Sequence, residues 1–235
     1  MKKILQHFEH FCEKKKLNLF WTLYLNMRLL PFKQAVHFPI LCYGSIRVRC
    51  ADGKIIISPQ FVRKGILKIG VDPTGYRTCG VTTLTLLNNS TIFINGSVKV
   101  YQGATVLTGR NASLIFGDEV TIGDRAEIIC MEKIELGRHS GLTWECQMTD
   151  FASHPVLDRI SGELHPMTKP VFVGEYCWIG NRTTIMPGTR IPNRTIVASN
   201  SLLNKDYIQK GLKPYSLIGG IPAVTLRENI ERIYK

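Results

Sequence analysis

His154 is the residue in this sequence best placed to do chemistry. It stands in the run Thr149-Asp150-Phe151-Ala152-Ser153-His154-Pro155, with Asp150 four residues before it. An imidazole titrates near pH ~6.5 in water, so it can accept and return a proton at neutral pH. Its second ring nitrogen needs an acceptor to fix the tautomer. Asp150, Glu163 or a backbone carbonyl could serve, and Asp150 is the expected partner. A different chemistry would use His139, His154 and His165 as metal ligands. His165 follows His154 by only eleven residues in the same stretch, and no other close His/Cys pair has a metal-like spacing. No metal is expected. The seven cysteines form no C-x-x-C pair and are odd in number, which suits small buried hydrophobes in a reduced compartment.

The elements that must position His154 announce themselves by a repeat. Val173, Ile179, Ile185, Ile191, Val197 and Leu203 are six apart without exception. Two residues before all but the first stand Cys177, Thr183, Thr189, Thr195 and Ser201, every one small. A helix would need spacings of three and four, and a simple amphipathic strand would need two. A beat of six suits short strands joined by tight corners, with one large and one small side chain pointing inward. Three such strands close a triangular coil, and stacked coils form parallel sheets at about 4.8 Å per strand. Gly and Asn near the corners would tolerate the left-handed backbone conformation that the turns require.

The same beat runs upstream through Phe116, Ile122 and Ile128, with Val120 and Ala126 at the small position. It continues in Leu136, Leu142 and Met148, with Ser140 and Cys146 in place. Ile128 and Leu136 are eight apart, which reads as a two-residue bulge at a corner. Ile94, Val100 and Val106 extend the pattern, and alternating pairs such as Ile46/Val48 and Ile55/Ile57 suggest irregular early coils. Between Met148 and Val173 the beat is lost, so His154 lies on a long loop leaving a regular scaffold, where functional residues concentrate.

The fold class expected is therefore all-β, a parallel β-helix occupying residues 38–225, with a protruding loop at 149–172. Residues 1–37, with Ile4, Phe8, Phe11, Leu17 and Phe20 among lysines, read as a helical extension. Residues 226–235 read as a short C-terminal helix. Helices at the ends of a solenoid would cover its open strand edges. With 44% apolar and 20% charged residues, the 235-residue chain can bury a sizeable core. No apolar run approaches the roughly 20 residues of a membrane span. The first residues do not read as a secretory signal, so a cytoplasmic location is expected. The net charge of +12 points to an anionic partner. No basic stripe interleaved with aromatics stands out, so nucleic acid is not expected.

One ordered set of motifs goes beyond the fold. It comprises Ser153-His154-Pro155-Val156, Arg159, Gly162-Glu163, Pro170, Val173-Gly174, Trp178-Ile179-Gly180, Pro187-Gly188, Lys205-Asp206 and Gly219-Gly220-Ile221-Pro222-Ala223. In this order, over residues 90–230, the chain resembles the hexapeptide-repeat acyltransferases, which are left-handed parallel β-helices. The likeness is to sugar O-acetyltransferases of the galactoside, maltose and surface-polysaccharide type. The resemblance implies acetyl-CoA as co-substrate, with no metal required. It puts the catalytic base at His154, which would take the proton of an attacking hydroxyl and return it to the departing thiolate. A backbone N–H at a coil corner would stabilise the oxyanion. Trp178 would lie beside the pantetheine and acetyl group, and Asn181, Ser199, Asn204 and Lys205 would line the CoA groove. Lys205 and Arg227 would meet the nucleotide phosphates. Val224 replaces the basic residue usual after Pro-Ala, and extra residues around Ile208 to Gly211 lengthen the approach to that turn, so Lys210 or Lys213 would supply the missing charge. The resemblance further implies a homotrimer, with His154 of one chain presented to its neighbour. The Leu30-Pro31-Phe32-Lys33 and Phe38-Pro39-Ile40 segments resemble those of polysaccharide-modifying members. The acceptor is then a glycan of a capsule or other surface, and the basic N-terminus would touch the inner face of an anionic membrane. Serine, an amino sugar or an antibiotic hydroxyl are alternative acceptors, and an inert β-helix scaffold is the non-enzymatic alternative.

Overall fold

A computed structural model describes residues 17–72 and 80–233. The chain winds into a three-sided solenoid. Face 1 carries the parallel strands Ile40–Cys42, Leu67–Val71, Val98–Tyr101, Val120–Ile122, Gly141–Leu142, Trp178–Ile179, Ile196–Val197 and Leu217–Gly220. Face 2 runs from Ile46–Ala51 to Leu202–Leu203, and face 3 from Lys54–Ile57 to Arg190–Ile191. Each coil contributes one strand to each sheet in turn, which is why strands adjacent in space are not adjacent in sequence.

The six-residue beat is the core. All six aliphatics from Val173 to Leu203 are at most 1% exposed, and Cys177, Thr183, Thr189 and Thr195 are wholly buried. Each such aliphatic contributes about 1.5–3 kcal/mol when fully buried. The inward threonines spend their hydroxyls on backbone carbonyls: Thr189 donates to Leu203 at 3.0 Å and Thr195 to Pro192 at 2.7 Å. The early coils obey the same plan, since Ile55, Ile57, Leu84 and Leu86 all point inward. Cys42, Cys130, Cys146 and Cys177 are buried free thiols, and burial pushes Cys42 and Cys177 up to about 12. Cys12 and Cys79 lie outside the described residues.

Gly44, Gly96, Gly103 and Gly188 and Asn89, Asn111 and Asn200 take left-handed turn positions as expected, but larger residues take most of the others. From Val98 onward, the turns from face 3 to face 1 put Glu119, His139, Tyr176, Arg194 and Tyr215 at positive φ, between 55° and 63°. The turns from face 1 to face 2 put Gly103, Arg125, Glu145, Arg182 and Asn200 at positive φ. These side chains stack coil upon coil, and the contacts offset the backbone cost of that conformation, of order 1–3 kcal/mol. Glycine also has a second use. At Gly180, an added Cβ would lie 2.5 Å from the Ser199 backbone nitrogen; it marks a close approach of neighbouring coils, at negative φ.

At the N-terminal end, Leu19–Leu29 and Phe32–Ala35 are helical, as the helical extension predicts; its residues 1–16 lie outside the description. Asn18 caps the longer helix by accepting from the Trp21 N–H at 3.1 Å. At the other end the expected C-terminal helix is absent from the described residues. Ala223–Arg227 is a strand instead, antiparallel to Leu217–Gly220, and residues 228–233 follow without helical structure. The last parallel strand would otherwise expose a free edge, and a hairpin satisfies that edge where a helix could not.

Candidate active site

The loop that breaks the repeat leaves the turn between faces 2 and 3, after Gln147–Thr149, and returns at Val171–Val173. It is a hairpin, with Val156–Leu157 antiparallel to Leu164–His165. Its tip is closed by Asp158, whose carboxylate accepts from the Ile160 and Ser161 N–H groups at 2.8 and 2.9 Å. Those backbone donors hold Asp158 below the usual carboxylate range. At the foot, Ala152 N–H donates to Met167 and Lys169 N–H to Asp150. His154 sits exposed just before the hairpin and, among the described residues, has no hydrogen-bond partner.

Asp150 does not serve His154 as expected. It is wholly buried, and its carboxylate accepts from the N–H groups of Met131, Glu132 and Lys133 at 2.7, 2.8 and 2.7 Å. Met131 and Glu132 are the two residues that lengthen the corner between Ile128 and Leu136. A bulge there takes backbone donors out of the parallel ladder, and the carboxylate one coil further on replaces the missing acceptors. Asp150 is a buried corner cap that fixes the base of the loop.

Trp178 lies elsewhere. It points outward from face 1, directly above Gly141, with which it is in register. An added Cβ at Gly141 would lie 2.6 Å from Thr121 Oγ1 and 3.5 Å from the indole. The missing side chain opens a groove of about 410 Å³ bounded by Tyr101, Thr121, Trp144, Trp178, His139 and Arg232. That volume lies within the usual 300–1,000 Å³ or so of small-molecule sites. The Arg232 guanidinium rests 3.6 Å from the centre of the Trp178 ring, a cation–π contact that orients the indole. On the opposite wall His139 Nδ1 is 3.0 Å from Glu119 and stacks on Tyr176 at 4.6 Å. The sequence pointed to Trp178 but not to Gly141, Trp144 or Arg232, because 37 residues including the loop separate Gly141 from its neighbour above.

The remaining residues expected around the cofactor divide between two corners. Asn181 and Ser199 meet on the turn from face 1 to face 2, where the Ser199 hydroxyl donates to Asn181 Oδ1 at 2.6 Å. Asn204 and Lys205 lie beyond Leu202–Leu203, on the turn that also bears the loop. Arg227 ends the closing strand opposite Leu217. Lys213 is engaged by Glu228 at 3.5 Å. Among the described residues, no group of three His, Cys, Asp or Glu side chains is placed to hold a metal ion.

In a three-sided coil, the turn between faces 2 and 3 is the vertex opposite face 1. His154 and the Trp178 groove therefore occupy opposite sides of one chain. The described hydrogen bonds that tie the loop to the rest of the chain lie at its foot, where Asp150 meets Ile129 and the Met131–Lys133 turn, Lys169 meets Gly188, and Phe172 meets Thr189.

Three parallel sheets, a six-residue beat and one projecting histidine loop define a β-helix of the hexapeptide-repeat kind. No protein-family model matches the chain. It is 28% identical over 118 residues to an Escherichia coli protein whose name places it in colanic acid biosynthesis as an acetyltransferase; the match covers 50% of this chain and 60% of that relative. The polySia-specific acetyltransferase NeuO superposes with a TM-score of 0.63 at 16% identity, covering 83% of this chain and 75% of NeuO. The polysialic acid O-acetyltransferase OatWY gives 0.60 at 24% identity, covering 82% and 92%. Both neighbours are left-handed β-helices. The chain is thus a left-handed parallel β-helix, similar to sugar O-acetyltransferases of the hexapeptide-repeat type.

Proposed function

We propose that this protein is an O-acetyltransferase that moves an acetyl group from acetyl-CoA to a hydroxyl of a capsular or other surface glycan. The observation that carries the reading is the separation of the two halves of the site. A solenoid that is regular from Val98 onward projects His154 at one vertex and opens the Gly141–Trp178 groove on the face opposite. Each half is unserved within its own chain, and a cyclic homotrimer would set the loop of one chain against the groove of the next.

Within that arrangement the thioester supplies an activated acetyl group, and the chain's own residues do the rest. Trp178 offers a flat, oriented surface along which a pantetheine arm can lie. Asn181 and Ser199 border the turn at one end of face 1 and can extend that track. Lys205, Arg227 and Lys210 are cations available to phosphates. His154 accepts the proton of the attacking hydroxyl and donates it to the departing sulfur, so the imidazole ends the cycle as it began. A backbone N–H at a coil corner would receive the oxyanion. Asp150 keeps the foot of the loop rigid, so that His154 enters the neighbouring groove at a fixed height. No described helix is long and apolar enough to cross a membrane, and the enzyme would work in the cytoplasm, in peripheral contact with the inner face of an anionic membrane.

Acetyl-CoA turnover against a panel of capsular and lipopolysaccharide glycans tests the reading. His154→Ala is expected to lower the rate by ~10²–10⁴ while leaving CoA binding largely intact. Unchanged turnover would remove His154 from the mechanism, and no turnover with any glycan would remove the acceptor class.

A further inference from the structure

The helix Leu19–Leu29 is built the wrong way round for a water-facing cap. A helix that closes the end of a core ordinarily turns its apolar side inward and its polar side out. Here the buried side holds Thr22 and Asn26 beside Leu25 and Leu29. Thr22 Oγ1 accepts from the Cys42 N–H at 3.0 Å, and Asn26 exchanges two hydrogen bonds with Ile40, at 2.7 and 3.1 Å. The two polar side chains thereby replace the coil that would otherwise precede the first strand of face 1.

The outward side is apolar. Leu19, Phe20, Leu23, Tyr24 and Met27 form a continuous ridge, with Phe20 67% and Met27 52% exposed. Phe20 stacks on Tyr24 at 6.3 Å and meets Trp21 edge-on at 5.0 Å. Phe32, opening the next helical turn, is 73% exposed. A contiguous exposed ridge of this kind marks an interaction surface.

Charge selects the partner. Residues 17–68 contain eight Lys or Arg against one carboxylate, Asp52, whereas residues 80–235 hold sixteen against fourteen. The stretch before the helix adds Lys2, Lys3, Lys14, Lys15 and Lys16. With Glu9 and Glu13 subtracted, residues 1–68 carry ten of the chain's net twelve positive charges. Arg28 flanks the ridge, and Lys33 follows it.

We infer that the face Leu19, Phe20, Leu23, Tyr24 and Met27 docks on an anionic lipid surface, with the ridge at the boundary between headgroups and acyl chains and the basic residues among the headgroups. The docking deepens the membrane-side location proposed above and rests on that reading only for its purpose. It stands the solenoid on its first coil. The loop bearing His154 leaves the fifth coil, roughly 20 Å further along the axis at the spacing of parallel strands, a height suited to a glycan reaching out from a lipid carrier.

Flotation of the full chain with phosphatidylcholine–phosphatidylglycerol vesicles and with pure phosphatidylcholine vesicles tests the inference. Binding is expected to the anionic vesicles and to be about tenfold weaker to the neutral ones. The double variant Phe20→Ser/Met27→Ser is expected to weaken anionic binding at least ~10-fold, with its melting temperature and its turnover on a soluble glycan unchanged. Failure of the wild-type chain to float, or undiminished flotation of the double variant, would overturn the inference. So would dispersal of the oligomer by the double variant, which would assign the ridge to a second copy. Absence of turnover in a chain that floats normally would strike the enzymatic reading and leave the docking intact.

Discussion

From Val98 onward the three vertices of the solenoid follow two different rules. The turns from face 3 to face 1 and from face 1 to face 2 have constant length, and their left-handed positions stack into ladders. On one, Glu119 pairs with His139, His139 stacks on Tyr176, and Arg194 lies 4.7 Å from the Tyr176 ring and 5.1 Å from that of Tyr215. On the other, Glu145 is held between Arg182, at 2.7 Å, and Arg125. The turn between faces 2 and 3 has no fixed length. It takes Met131 and Glu132 in one coil, the 149–172 loop in the next, and the segment around Tyr207 in the last. Constant turns let identical torsions recur, so side chains lock neighbouring coils together. The variable turn leaves the core undisturbed while the chain departs and returns, at the cost of stranded backbone donors that Asp150 must satisfy. His154, the proposed base, projects from the vertex that the ladders leave free.

This contrast can be broken most forcefully at Asp150. Asp150→Ala strands three part-buried N–H groups and is expected to lower stability by about 2–4 kcal/mol in chemical denaturation; Asp150→Asn, which keeps one acceptor oxygen, should recover part of it. A loss below about 1 kcal/mol would mean that the variable turn holds itself. Gly180→Ala presses a methyl group against the backbone of the adjoining coil and should cost about 1–3 kcal/mol by the same assay. Tyr176→Ala removes the middle of one ladder, for an expected loss of about 1 kcal/mol, and a value near zero would reduce the ladders to decoration. The smallest effect lies at Glu145, which Arg182 first and Arg125 second hold below the usual carboxylate range. A depressed carboxylate stabilises above its unfolded pKa, about 4.3, and the contribution disappears as pH falls through the folded value. The stability difference between wild type and Glu145→Gln should therefore be present at neutral pH and vanish in acid, and a difference that persists in acid would exclude this pair as its source.

The sequence made the core legible because an inward side chain must recur once per strand, and nothing else imposes a period of six. The loop was legible as the place where that period fails, and the two-residue bulge as a spacing of eight. The ladders were not, because Glu119, His139, Tyr176, Arg194 and Tyr215 fall at irregular intervals along the chain and become a column only once the variable turns are subtracted. Asp150 was misread for the same reason: its partners lie seventeen to nineteen residues earlier, across a turn whose need for acceptors no local motif discloses. Near the C-terminus, Leu226, Ile230 and Ile233 have helical spacing, but the unpaired edge of Leu217–Gly220 recruits Ala223–Arg227 as a strand. The helix Leu19–Leu29 was legible as a helix, while its inverted polarity required knowing which side meets the first coil.

The account depends on a site assembled from two chains, and mixing two crippled variants addresses it directly. His154→Ala and Trp178→Ala, each purified alone, are expected to turn over poorly. Co-assembled at equal ratio, they should regain roughly a quarter of wild-type activity, because that fraction of interfaces in a random cyclic oligomer joins an intact His154 to an intact Trp178 groove. Mixed oligomers that form but stay as inactive as their parents would place both residues in a single-chain site and contradict the account.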